Sequence, residues 1–202
     1  MSITYGDVQA RIADELNRSD LGPQIQKAVI RSIKHFERMP FWFNETSTTL
    51  SSVAAQSYVA VPSDFLAIQY FEVTYSGHNT KMIPQTLEYI RRYNASNFNN
   101  IPLNYCYQQD RFELAPIPNA VYSMPLRYVK RLTELSATTD SNAWLTEAED
   151  VIVYHSMKTL YATVIRSGND AAIMQGLEGE AVRSLNRGEL IRLRGTTIAT
   201  EF

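Results

Sequence analysis

Ile33-Lys34-His35-Phe36-Glu37-Arg38-Met39-Pro40-Phe41-Trp42-Phe43 is the stretch on which the fold turns. Up to Met39 the apolar residues keep a helical period. Ile25, Val29, Ile33 and Phe36 form one stripe, and Lys27, Arg31, Lys34 and Arg38 point elsewhere. Pro40 ends the pattern, because it lacks an N–H and its ring collides with the preceding turn. Phe41-Trp42-Phe43 follows, an aromatic cluster that is costly to leave in water. Beyond it runs a tract rich in Tyr, Thr, Ser and Val. Six of the eight prolines lie between Pro40 and Pro118, and none follows Pro125. This distribution predicts helical ends and a strand-rich middle.

Toward the N-terminus, Val8, Ile12 and Leu16 recur every fourth residue, which predicts an amphipathic helix from Ser2 or Thr4 to about Arg18. Ser19-Asp20-Leu21-Gly22-Pro23 breaks it, with Asp20 as candidate N-cap and Pro23 in the first turn of helix two. Short strands are expected at about 43–51, 57–61, 67–75, 81–83, 104–109, 111–114 and 126–129. Ser76-Gly77-His78-Asn79 reads as a turn, and Thr86 to Tyr93 as a short helix.

Toward the C-terminus, Thr146-Glu147-Ala148-Glu149 fits a capping box, so a third helix is expected from there to about Arg166. Gly168 reads as a stop and Asp170 as a fresh cap. A fourth helix then carries Ile173, Leu177, Ala181 and Leu185 inward until Gly188 ends it. The expected fold is α+β: a four-helix bundle built from the two chain ends, a β-rich, sandwich-like insertion, and an extended C-terminal tail. The expected boundaries are 1–40 for helices one and two, 41–143 for the insertion, 144–188 for helices three and four, and 189–202 for the tail.

Charge and chemistry narrow the function. With 19 basic and 21 acidic residues the net charge is -2, whereas a protein that grips nucleic acid by its phosphates shows a basic excess or stripe. Neither is evident in the sequence. Cys106 is the sole cysteine, so no internal disulfide can form, and Tyr105-Cys106-Tyr107 reads as a buried, inert strand position. The N-terminus lacks a basic and an apolar targeting region, and no apolar run is long enough for a membrane span; a soluble, cytosolic product is expected. His35, His78 and His155 have no helical metal spacing and read as solvated or core-satisfied. Gly176 and Gly179 lack the setting of a phosphate loop, and no Gly-x-Ser-x-Gly elbow occurs. The expectation is no catalysis, no metal and no cofactor. Tyr89, Arg91, Arg92 and Tyr93 could stack on single-stranded bases, but Tyr-rich strands are also what packed sheets and protein interfaces use.

Three segments carry a family likeness. The first is Ile12-Ala13-Asp14-Glu15-Leu16-Asn17-Arg18-Ser19-Asp20-Leu21, with Ile25-Gln26-Lys27-Ala28-Val29 and Phe36-Glu37-Arg38-Met39-Pro40-Phe41-Trp42-Phe43 after it. The second is Tyr58-Val59-Ala60-Val61-Pro62-Ser63-Asp64-Phe65. The third is Leu126-Arg127-Tyr128, then Asn142-Ala143-Trp144-Leu145 and a helix beginning at Glu147. In this order they resemble the head-to-tail adaptor (connector) proteins of tailed bacteriophages, especially short-tailed ones, over nearly the whole chain. The resemblance implies a structural virion protein forming a ring, typically a dodecamer, at the head–tail junction. Its implied partners are further copies of itself, the portal protein, and tail or nozzle proteins. DNA would pass through without specific binding, and the protein would occupy the host cytoplasm before assembly. It also implies that Leu190, Ile191, Arg192, Leu193, Arg194, Ile198 and Phe202 make the portal contact. The competing expectations are a stopper, terminator or tail-tube protein, a virion hydrolase, and a nucleic-acid binder.

Overall fold

The computed structural model describes residues 3–96 and 98–197, with side chains described as far as Gly188. The chain divides into two compact units. One comprises Met1–Asn44 with Leu132–Phe202, and the other is Glu45–Arg131.

In the first unit, α1 (Tyr5–Glu15) and α2 (Gly22–Phe36) come from the N-terminal side. After the β-rich segment come α4 (Ala143–Glu147) and α5 (Glu149–Leu160), a π-helical turn (Tyr161–Ile165) and α6 (Gly168–Thr197). Val151, Ile152 and Val153 of α5 are consecutive and all buried, and so are His155, Ser156, Met157 and Leu160. Three consecutive buried positions span most of a helix's circumference, so α5 is covered on several sides. It is the central helix of the unit, with α1, α2, α4 and α6 packed on it.

That arrangement corrects the expected four-helix bundle. A bundle needs helices of matched length meeting stripe to stripe. Here α5 has 12 residues and α6 has 30, so their lengths are ~18 and ~45 Å at 1.5 Å per residue. The expected extended tail is corrected too, since the backbone stays helical through Gly188 to Thr197. Glycine costs a helix only ~1 kcal/mol against ~3 for proline, and no proline lies in this segment.

The helix starts differ for local reasons. Thr146 lies inside α4 and donates its amide to the Asn142 carbonyl, while the Asn142 side chain caps α4 by accepting from the Trp144 amide at 3.0 Å. Glu149 does not reach back to a cap but pairs with Arg11 of α1. The capping box is instead at Thr4. Its Oγ1 accepts from the Asp7 amide at 3.2 Å, and its amide donates to the Asp7 carboxylate at 2.9 Å. Asp20 caps nothing, because Leu21 occupies the N-cap of α2. Asp20 pairs with Arg18 at 2.7 Å. Around Trp144, Phe41 and Phe43 pack edge-on at 5.6 and 4.9 Å, which buries Phe41 and leaves Trp42 and Phe43 half-buried.

The second unit holds β1 (Glu45–Ser51), β2 (Tyr58–Ala60), β3 (Phe65–Tyr75), β4 (His78–Lys81) and β5 (Ile83–Pro84). Then come α3 (Leu87–Asn94), β6 (Asn99–Asn100), β7 (Asn104–Gln108), β8 (Arg111–Ala115), β9 (Ile117–Pro118) and β10 (Ser123–Lys130). One sheet has the order β1-β10-β3-β4 and another β2-β8-β7-β5, with a small β6-β9 ribbon beside them. Every pairing in the first sheet is antiparallel, with Glu45 opposite Val129 and Ser51 opposite Ser123. Strand alternation turns Met124, Leu126 and Tyr128 of β10 inward with Phe71 and Val73 of β3. They meet Phe112 and Leu114 of β8 and Tyr105 of β7 in one shared core. Ser76 and Gly77 both take positive φ (50° and 79°), the conformation a two-residue hairpin loop requires.

Candidate functional site

Among the described residues, no group of three or more His, Cys, Asp or Glu could hold a metal ion. Cys106 is half-buried rather than fully buried, with Tyr105 turned inward and Tyr107 outward. His78 is exposed in its turn. No described helix is long and apolar enough to cross a membrane.

His35 and His155, 120 positions apart in sequence, stack at 4.6 Å between ring centres. His155 Nδ1 lies 2.8 Å from Glu178 Oε1, and Lys158 bonds the other oxygen of the same carboxylate. Glu178 is on α6; the other three belong to α2 and α5. Burial, the largest influence, pushes the His155 imidazole below its ordinary value, against the raising effect of the Glu178 bond. Burial also pulls Glu178 upward, but the bonds from His155 and Lys158 outweigh it and leave the carboxyl lower than usual. The arrangement suits a neutral His155 donating from Nδ1 to an ionised Glu178. Its task is mechanical: it fastens α6 to α5 at a buried point, where Met174, Ala181, Val182 and Leu185 supply apolar contacts. Sequence reasoning missed this cluster because its members share no local spacing.

The surfaces are the more informative part. Along α2 and the turn that follows it, Lys27, Arg31, Lys34 and Arg38 are all exposed. At i, i+4 and i+7, Lys27, Arg31 and Lys34 share about 60° of arc, opposite the buried Ile25, Val29, Ser32 and Phe36, and Arg38 follows in the turn past the helix. They form a basic ridge that the balanced composition concealed, which corrects the expectation that no such stripe exists. Among the described residues none of the four has an ion-pair partner. At the α4–α5 junction, Glu147, Glu149 and Asp150 line a groove of ≈ 370 Å³ whose apolar wall includes Trp42, Val151 and Leu185. Arg11 reaches into this acidic flank, pairing with Glu149 at 2.9 Å, and with Glu15 and Asp150 at 2.8 Å. Burial alone would lower Arg11, but its bonds to these three carboxylates hold it above its ordinary value.

The expected portal-contact residues divide by position. Leu190, Ile191, Arg192, Leu193 and Arg194 lie on the helical backbone of α6, in its last part. Ile198 and Phe202 lie outside the described residues. Ile173, expected inward, is 57% exposed. In the β-rich unit, Tyr70, Tyr75, Phe98, Tyr107 and Val121 are exposed. Tyr89 and Tyr93 of α3 sit 6.0 Å apart, tilted by 35°, with Arg91 and Arg92 exposed beside them.

No curated protein matches the chain. One family model, described as SU10 adaptor protein, matches residues 3–198, nearly the whole chain, and agrees with the resemblance to phage head-to-tail adaptors carried by its three segments. A chain with these surfaces and this match from end to end belongs to the SU10 adaptor protein family, a family of phage structural adaptors.

Proposed function

We propose that this protein is a ring-forming subunit, twelve copies to a ring, that joins the capsid portal to the tail and lets DNA pass. The observation that carries the reading is the family match over residues 3–198. The two units then have different tasks. The helical unit builds the ring and presents to the portal Leu190, Ile191, Arg192, Leu193 and Arg194 at the end of α6, together with Ile198 and Phe202 of the following sequence. The β-rich unit faces tail or nozzle proteins with exposed aromatics such as Tyr70, Tyr75 and Tyr107, residue types that favour protein interfaces. A net charge of -2 suits a conduit through which DNA slides, because a strongly cationic wall would hold the phosphates. The role is structural, its place is the head–tail junction of the virion, and its chemistry is association.

Native mass spectrometry of the portal titrated with this protein tests the reading, using the full chain and a form ending at Gly188. The full chain is expected to bind at a fixed stoichiometry, and the shorter form to lose that binding. Equal binding by both would remove the end of α6 from the contact. No binding by either would contradict the portal role and point to another tail component.

A further inference from the structure

We infer that neighbouring copies of this chain join head to tail, the basic ridge of α2 on one copy entering the acidic groove at the α4–α5 junction of the next. This rests on the ring reading above and assigns its subunit interface. The first observation is charge. Within a chain of net charge -2, four basic side chains stand together along α2 and the turn after it, and Glu147, Glu149 and Asp150 stand together at the α4–α5 junction. Lys27, Arg31, Lys34 and Arg38 have no described carboxylate partner. On the other side, Glu15, Glu149 and Asp150 all pair with one guanidinium, that of Arg11, and Glu147 lines the groove beside them.

The second observation is placement. Gln9 of α1 meets Gln26 of α2 at 3.3 Å, whereas Arg11 of α1 reaches Glu149 and Asp150 of α5. Two residues apart on a helix is about 200° of rotation, so α2 and α5 meet α1 on different faces. Lys27 and Arg31 border Thr159 and Thr163 near the end of α5, whereas the groove lies at its start, so the two patches occupy separate flanks of the helical unit. Complementary patches on separate flanks of one subunit give a heterologous contact, the kind that closes into rings. A single self-complementary patch would give two-fold dimers instead.

The third observation is shape. The groove is concave, ≈ 370 Å³, and walled by Trp42, Val151 and Leu185 beside its carboxylates, while Lys27, Arg31 and Lys34 stand exposed at the rims of shallow hollows of ≈ 390 and ≈ 460 Å³. Long Lys and Arg stems can lie along such apolar walls while their charged heads reach the acids. A phosphate backbone is the weaker candidate, since the chain as a whole carries a net charge of -2.

The test uses two full-length variants. One reverses the ridge (Lys27→Glu, Arg31→Glu, Lys34→Glu). The other reverses the groove (Glu147→Lys, Asp150→Lys) and leaves Glu15 and Glu149 to hold Arg11. Circular dichroism and thermal melts confirm that each folds, and sedimentation at low ionic strength, alone and with portal, reads assembly. The wild-type chain is expected to assemble, and to do so at least tenfold less tightly at high salt. Each variant alone is expected to stay monomeric, because it then carries the same charge on both flanks. Mixed one to one, they are expected to assemble again as alternating copies. Assembly by the ridge variant alone at wild-type strength, or no rescue on mixing, would overturn the interface and leave the ring standing. A wild-type chain that never assembles, even on the portal, would overturn the ring with it. Retained assembly with lost binding to double-stranded DNA in the ridge variant would assign the ridge to phosphates instead.

Discussion

Asn44 shows how one residue fixes the exit from α2. It is fully buried; its Oδ1 accepts from the Phe41 amide at 2.8 Å and its Nδ2 donates to the Met39 carbonyl at 2.9 Å. These backbone groups are what Pro40 leaves without helical partners. Asn44→Ala would strand them in the interior and is expected to destabilise the protein by about 2 kcal/mol, read from denaturant unfolding. The His155–Glu178 pair predicts a pH dependence. His155 is held below its ordinary value of 6.5, so the fold favours its neutral form. That contribution is complete above pH 6.5 and declines as the pH falls below it. Glu178 is held below its ordinary 4.5, so its contribution is present above that value and is lost on further acidification. Both signs agree, and thermal stability is expected to fall from neutral pH into acid; Glu178→Gln is expected to remove the part of that fall that lies below pH 4.5. The sequence showed Phe36 in an apolar stripe and Phe41 in an aromatic cluster, and both are buried. It could not show His35 on His155, because that contact depends on how α2 and α5 cross.

At the scale of elements, the apolar periods located α1, α2 and most strands within a few residues, because burial of one face imposes the pattern directly. The departures have physical causes. Thr146-Glu147-Ala148-Glu149 satisfies the pattern of a cap, yet a helix already begins four residues earlier, where the Asn142 side chain accepts from the Trp144 amide, and Glu149 finds Arg11. Gly188 resembles a stop, yet a helix ends at glycine only when the chain turns left-handed there, and here it continues. The turn of hand occurs earlier, at Arg166 with φ 61°, after a π-helical turn that no periodicity reveals. Gly176 sits in α6 with nothing within 4 Å of where a Cβ would stand. Gly176→Ala is therefore expected to stabilise the free chain by ~1 kcal/mol, measured by thermal or denaturant melts. The basic ridge was in plain view as four residues off an apolar stripe; recognising it required placing Lys27, Arg31 and Lys34 on one narrow arc.

For the whole molecule, the sequence supported two folded regions and a structural role, and the family match agrees with that role. What it could not provide was packing: a central α5 in place of a bundle of equals, and a helix through Thr197 in place of a tail. Relative helix lengths and a helix buried on several sides are properties of the assembled unit, not of any stripe. The interface between copies was equally hidden, since clusters of opposite charge average out in a net value of -2. Electron cryo-microscopy of the full chain bound to its portal tests the central claim most directly. The account predicts a closed ring of copies in register with the portal, each α2 ridge seated on its neighbour. Isolated copies on the portal, or a portal left bare, would contradict it.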